Sequence, residues 1–277
     1  MGKVLIINYD ICNGCYNCQI ACKDEHCAND WSPIAKPQPD TGHFWNKIYD
    51  NVRGQVPKVK VTYEHSICQH CDDAPCIDAC KQKAIYKRDD GAVIIDPQKC
   101  RGHQLCIEAC PYENVIYYNQ DLLISQKCTF CAHLLDDGWE EPRCVDACPT
   151  GAFTFGDEND PKIKELIKKA APLMPDQKVK PRVYYIGLPK RFIAGALFDE
   201  EADECIKGAK VTCFCAQSGK KVADAETDFL GDFWFDGLEN GNYTLEFECK
   251  GYLPQKFGPV DVTEKDINIG DVALWKK

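Results

Sequence analysis

The stretch Cys12-Asn13-Gly14-Cys15-Tyr16-Asn17-Cys18-Gln19-Ile20-Ala21-Cys22 decides how this chain is read. Four thiols spaced two, two and three residues apart are poorly placed to staple distant parts of a fold, but well placed to wrap a metal centre. The pattern returns three times. Cys68, Cys71, Cys76 and Cys80 form a second group. Cys100, Cys106 and Cys110 form a third, with His103 where another cysteine is expected, and Cys128, Cys131, Cys144 and Cys148 form a fourth. Apart from Cys27, Cys205, Cys213, Cys215 and Cys249, these groups hold all 20 cysteines. A secreted disulfide scaffold is the ordinary explanation for so many thiols, but such chains are short and carry signal peptides. Metal ligation fits the clustering better.

The first group reads C-x2-C-x2-C-x3-C, the bacterial ferredoxin run without its closing proline. The third is the same run with one substitution and keeps Pro111, while the other two stretch one gap, Cys71 to Cys76 and Cys131 to Cys144. Short β-type runs lead into the groups at Val4–Ile7, Val59–Tyr63, Ala92–Ile95 and Leu122–Ser125. Others follow at Ala84–Tyr86, Val115–Tyr118 and Ala152–Phe155, with turn signals at Asp89-Asp90-Gly91 and Asn119-Gln120-Asp121. The order predicts an α+β domain over residues 1–157 made of two nested ferredoxin-like modules, with the second and third groups inserted between the first and fourth. Residues 27–58 read as a loop.

Each cubane cluster needs four ligands, and in two-cluster ferredoxins the last cysteine of a run ligates the other cluster. That rule predicts three to four [4Fe–4S] clusters. One takes Cys12, Cys15, Cys18 and Cys148, and its neighbour takes Cys22, Cys128, Cys131 and Cys144. A third takes Cys68, Cys71, Cys76 and Cys110. The fourth takes Cys80, Cys100 and Cys106, with His103 in the remaining position. Three readings of His103 stay open: an imidazole ligand that raises the potential, a three-iron cluster on the three thiols, or a degenerate and empty site. Zinc ribbons want pairs of cysteines rather than runs of four, and no C-x-x-C is followed by the histidine that covalent haem requires.

Other residues have plainer readings. Cys213 and Cys215 read as thiols in a core rather than a metal pair. His26, His65, His70 and His133 stand near cluster cysteines, where they could hydrogen-bond to a cluster or simply pack. Trp31, Trp45 and Trp139 suit core filling or partner docking. No nucleophile elbow, phosphate-binding glycine loop or dinucleotide fingerprint occurs, so no organic active site is expected and no catalytic residue is assigned.

Beyond residue 157 the pattern changes. Asp160-Pro161 opens an amphipathic helix with Ile163, Leu166, Ile167 and Ala170 on one stripe. Lys178–Arg191 reads as an extended linker, so that 158–192 is a helix and connector. From 193 to 277, alternation such as Tyr243, Leu245, Phe247 and Cys249, punctuated by glycines, predicts a small antiparallel β-sandwich of roughly seven strands. The net charge of −10 offers no basic footprint for nucleic acid. No apolar run reaches the roughly 18 residues a spanning helix needs, and Val4–Ile7 is too short for a secretory signal. A cytoplasmic protein is expected, or one exported with a signal-bearing partner.

The nested groups resemble the iron–sulfur (beta) subunits of dimethyl-sulfoxide-reductase-type molybdopterin oxidoreductases. The matching stretches are Cys12–His26, Cys68–Cys80, Cys128–Asp137, Pro142-Arg143-Cys144 and Cys148-Pro149-Thr150-Gly151-Ala152. The tail, through Gly208-Ala209-Lys210-Val211, Thr227-Asp228, Gly231-Asp232-Phe233, Gly241-Asn242-Tyr243 and Gly251-Tyr252, resembles Cna-B or carboxypeptidase-regulatory sandwiches. Iron–sulfur subunits with such a tail look like the small subunits of pyrogallol–phloroglucinol transhydroxylases. The resemblance implies a large catalytic partner carrying bis-molybdopterin guanine dinucleotide and acting on phenolic compounds, with this chain supplying electron transfer. A reductive dehydroxylase or respiratory reductase subunit, or a free-standing polyferredoxin, are the alternatives.

Overall fold

β1 (Lys3–Asn8) is apolar over Val4-Leu5-Ile6-Ile7 because it is buried on both faces. Leu5 and Ile7 enter the core around the first cysteine group, while Val4 and Ile6 pack against the helix beyond the last one. The computed structural model describes residues 2–277. After β1 comes α1 (Asn17–Cys27), then β2 (Asn46–Gln55) and β3 (Lys58–Ile67), a hairpin ahead of the second group. Cys76 lies on α2 (Pro75–Ala79). β4 (Ile85–Lys87) and β5 (Val93–Ile95) pair between the second and third groups. Cys106 sits on α3 (Leu105–Glu108), followed by the paired β6 (Ile116–Asn119) and β7 (Ile124–Lys127). The fourth group spans α4 (Ala132–Asp136) and α5 (Arg143–Asp146) and leads into β8 (Phe153–Asp157), α6 (Pro161–Lys169) and β9 (Val183–Ile186).

β1 is the centre strand of a three-stranded sheet, antiparallel to β8 and parallel to β9. The start of α6 follows its sequence signal: Pro161 occupies the first turn and the Asp160 carboxylate accepts from Lys162 N–H at 2.7 Å. Three expectations change. The stretch 27–58, read as loop, holds all of β2, whose mixed polar sequence gave no alternation. Part of the connector 178–191 is β9, because Val183 and Tyr185 are buried beside β1. Leu122 and Leu123 form an exposed turn, with Leu123 at φ +55°, and the strand begins at Ile124.

The chain divides into two compact units, one of residues up to Asp50 with Tyr63–Leu188, the other of Asn51–Thr62 with Pro189–Lys277. The second is a sandwich of β10 (Arg191–Asp199), β11 (Glu204–Cys205), β12 (Lys210–Cys215), β13 (Lys221–Glu226), β14 (Asp232–Leu238), β15 (Asn242–Glu248), β16 (Gln255–Asp261) and β17 (Ile267–Ala273). One sheet has the order β11-β10-β14, with β17 also paired to β10; the other is β13-β12-β15-β16. It departs from a wholly antiparallel sandwich because β17 runs parallel to β10. Alternate residues Val211, Cys213, Leu245 and Phe247 turn inward against Phe233 and Phe235. Residues 51–62 are tied to this unit by Lys58 paired with Asp232, by Lys60 with Asp236 at 2.5 Å and by Arg53 with Asp266 at 3.1 Å. Among the described residues no helix is long and apolar enough to cross a membrane.

Candidate metal centre

On α1, Cys18, Cys22 and His26 recur every four residues, so one buried side of the helix carries them all. Pairing of β1 with β8, Ile7 opposite Phe153, returns the chain after Cys148 to the place where it entered Cys12. Cys18 is thereby within electrostatic reach of Cys12, Cys15 and Cys148. Cys144 is likewise within reach of Cys22, Cys128 and Cys131. Cys68, Cys71, Cys76 and Cys110 line one cavity, of about 20 Å³. Cys80, Cys100, Cys106 and His103 line another, of about 30 Å³, together with Ser125.

Electrostatic influence links the four predicted sets one to the next. Cys18 neighbours Cys22 and Cys144, joining the first set to the second. Cys128 neighbours Cys68, joining the second to the third. Cys76 and Cys110 neighbour Cys106, joining the third to the fourth.

The donor chemistry suits polynuclear clusters. Among the described residues no three His, Cys, Asp or Glu side chains converge tightly enough to clasp one metal ion. Burial pushes Cys18, Cys71, Cys76 and Cys131 up to about 12 and Cys110 to about 11, and holds Cys22, Cys128 and Cys144 well above the ordinary thiol range. Such thiols stay protonated until metal displaces the proton. Cys148 differs: against the burial that would raise it, Thr150 at 3.6 Å and nearby backbone amides draw it down. Backbone N–H groups aim at cysteine sulfurs of these groups, from Ala84 to Cys80 at 3.3 Å, from Ser125 to Cys100 at 3.4 Å and from Phe130 to Cys128 at 3.4 Å. Bound in these sites, iron–sulfur clusters supply reversible one-electron storage.

His103 lines its cavity from an exposed position. The backbone there is wound like that of the first run. Gly14 and Tyr16 have φ of +66° and +62°, and Gly102 and Gln104, at the same offsets, have +67° and +59°. His103 therefore occupies the place that Cys15 takes in the first run. A Cβ on Gly14 would lie 2.2 Å from the Tyr63 ring, and one on Gly102 would lie 2.4 Å from the Leu123 carbonyl oxygen, so both positions require glycine.

Two of the flagged histidines touch ligand sulfurs: His65 Nε2 is 3.5 Å from Cys12 and His26 Nε2 is 3.9 Å from Cys131. Burial lowers His65 to about 4, and burial with His133 lowers His26 to about 3, so both rings are neutral near pH 7. His133 instead pairs with Glu25 at 3.0 Å and stacks on Trp31. Trp45 is buried and Trp139 is exposed. Ser125, whose side chain hydrogen-bonds to Cys106, is a cavity residue that the cysteine spacing did not signal.

Residues 59–158 match the 4Fe-4S dicluster domain family, and residues 193–274 the carboxypeptidase regulatory-like domain family. The chain is 35% identical over 278 residues to the pyrogallol hydroxytransferase small subunit of Pelobacter acidigallici, covering 98% of each. It belongs to the iron–sulfur electron-transfer subunits of molybdopterin oxidoreductases. As a member of that family it holds [4Fe–4S] clusters. It is also 33% identical to the arsenate respiratory reductase iron-sulfur subunit of a Shewanella species, over 66% of this chain and 94% of that one. With the B subunit of polysulfide reductase from Wolinella succinogenes it shares 32% identity, over 66% of this chain and 92% of that one. The relationship to these two reductase subunits thus spans a smaller part of the chain than the relationship to the Pelobacter subunit.

Proposed function

We propose that this chain carries electrons for a molybdopterin enzyme acting on phenolic hydroxyl compounds. In this reading a large partner subunit bears bis-molybdopterin guanine dinucleotide and the catalytic site. The observation that carries it is the extent of the match. Similarity to a pyrogallol hydroxytransferase small subunit covers 98% of the chain, whereas similarity to the two reductase subunits covers 66%.

The clusters are assigned to Cys12/Cys15/Cys18/Cys148, Cys22/Cys128/Cys131/Cys144 and Cys68/Cys71/Cys76/Cys110, with a fourth on Cys80/Cys100/Cys106 and His103. The two cavities, the mutual influence of the thiols and the repeated backbone winding support this assignment. It makes the cysteine domain two nested ferredoxin-like modules, the outer closed by β1 with β8 and the inner flanked by the hairpins β4–β5 and β6–β7. The residues of this chain hold the clusters, shield them from water and set their spacing, and none performs substrate chemistry.

Native purification tests the reading. Mass spectrometry should find a large partner, and metal analysis should find molybdenum together with iron. Full loading of four sites gives about 16 iron atoms per chain, and loss of the His103 site gives about 12. A molybdenum-free monomer would sink the proposal, and unchanged iron and EPR spectra in His103→Ala would remove the histidine from the ligand set.

A further inference from the structure

Lys127, at the end of β7, is buried to 2% exposure. Its Nζ donates to the carbonyl oxygens of Val93 and, at 3.1 Å, of Cys128. No carboxylate is paired with it among the described residues. An ammonium buried without an anion is strongly disfavoured, so its counter-charge must come from the surroundings. The groups within reach that become anionic on ligating iron are cysteine sulfurs: Lys127 acts electrostatically on Cys128 of the second proposed set and on Cys76 and Cys110 of the third.

Val93 extends this arrangement. It lines the cavity of the third set, and its N–H donates to His70 Nδ1 at 2.9 Å. His70 therefore carries its proton on Nε2. The ring is fully buried, stacked on Phe130 with centroids 3.6 Å apart, and lines the same cavity. Its Nε2 has no hydrogen-bond partner among the described residues.

We propose that Lys127 is a fixed positive charge that raises the reduction potentials of the two central clusters, and that His70 Nε2–H donates a hydrogen bond to a sulfur of the cluster in the Cys68/Cys71/Cys76/Cys110 cavity. The inference rests on the ligand sets proposed above. No bond forms or breaks in the redox step; one electron arrives from a neighbouring centre and leaves to the next. Added negative charge is stabilised by a nearby cation and by a hydrogen-bond donor, so both groups favour the reduced state.

The test is an EPR-monitored redox titration of the intact native complex, with iron counted in each sample. Lys127→Gln keeps an N–H donor for the two carbonyls but removes the charge. It should lower the potentials of the two central clusters while the end clusters move less. Lys127→Arg, which keeps the charge, should stay near wild type, and His70→Phe should lower only the cluster of the third set. Fully loaded Lys127→Gln with wild-type potentials, or with an equal fall at every cluster, overturns the proposal. If Lys127→Gln does not load, loaded His70→Phe at the wild-type potential overturns it. Wild-type protein lacking a cluster at either central set defeats the ligand assignment itself, before any variant is read.

Discussion

Ile7 and Phe153 stand opposite each other across β1 and β8, one shortly before Cys12 and the other shortly after Cys148. This pairing brings together the chain segments that carry the outer pair of proposed ligand sets. Ile7 is fully buried, so Ile7→Asp would force an unpaired carboxylate into that contact. The expected outcome is loss of the two outer clusters with retention of the inner pair, read as a fall of about half in iron per chain. Uniform loss of all clusters would show that the two pairs do not assemble separately.

The proposed crossed ligation makes an uncommon statement about Cys22. It belongs to the first run in sequence but lies with Cys128, Cys131 and Cys144 in space. Cys22→Ser should therefore spare the cluster on Cys12, Cys15, Cys18 and Cys148 and damage its neighbour. Mössbauer and EPR spectra of the variant distinguish the two; loss of the Cys12 cluster alone contradicts the assignment.

The fourth site tests whether backbone winding outlasts a ligand change. His103→Cys restores the ferredoxin run on a backbone already shaped for it, and should give a full [4Fe–4S] signal at a lower potential than wild type, because thiolate donates more charge than imidazole. Gly102→Ala should act oppositely. At φ +67° with Leu123 carbonyl 2.4 Å from the new Cβ, the turn must shift, and iron should be lost from this site first. Iron analysis with redox titration checks both.

Acid dependence of the sandwich turns on Asp199, which accepts from Tyr252 at 2.8 Å and pairs with Lys276 at 2.8 Å. Lys276 and then Tyr252 pull its carboxyl down to about 2. A depressed carboxyl stabilises the fold above its unfolded value of about 3.9, and that contribution fades as pH falls toward the folded value. Asp199→Asn should speed amide exchange in β10 and β17 at pH 7, with the difference from wild type shrinking between about pH 4 and pH 2. A gap that persists at the acid end would assign the effect to something other than the charge.

Cys213 lies fully buried in the sandwich core among Val211, Leu245 and Phe247. Cys213→Ser places a hydroxyl there at a cost of ~1–3 kcal/mol, while iron content should stay unchanged. A drop in iron would reveal a metal role for the tail cysteines.

The cysteine groups and the short strands beside them were legible in the sequence because a cluster demands thiols at fixed close spacing and a twice-buried strand such as Val4–Ile7 must be apolar. The same periodicity exposed α6 and the inward face of β12 and β15. Residues whose meaning depends on distant neighbours were silent. β2 has no alternation because much of it is not buried on one regular face, and β9 counts as a strand only because β1 offers it an open edge. Lys127 reads as an ordinary strand lysine until folding encloses it between two sets of thiols and withholds a carboxylate. Local spacing marked the candidate ligand atoms, since within each group they are near in sequence. Tertiary structure decided which sets adjoin and what charge lies between them, since electrostatics depends on distance through space and on exclusion of water.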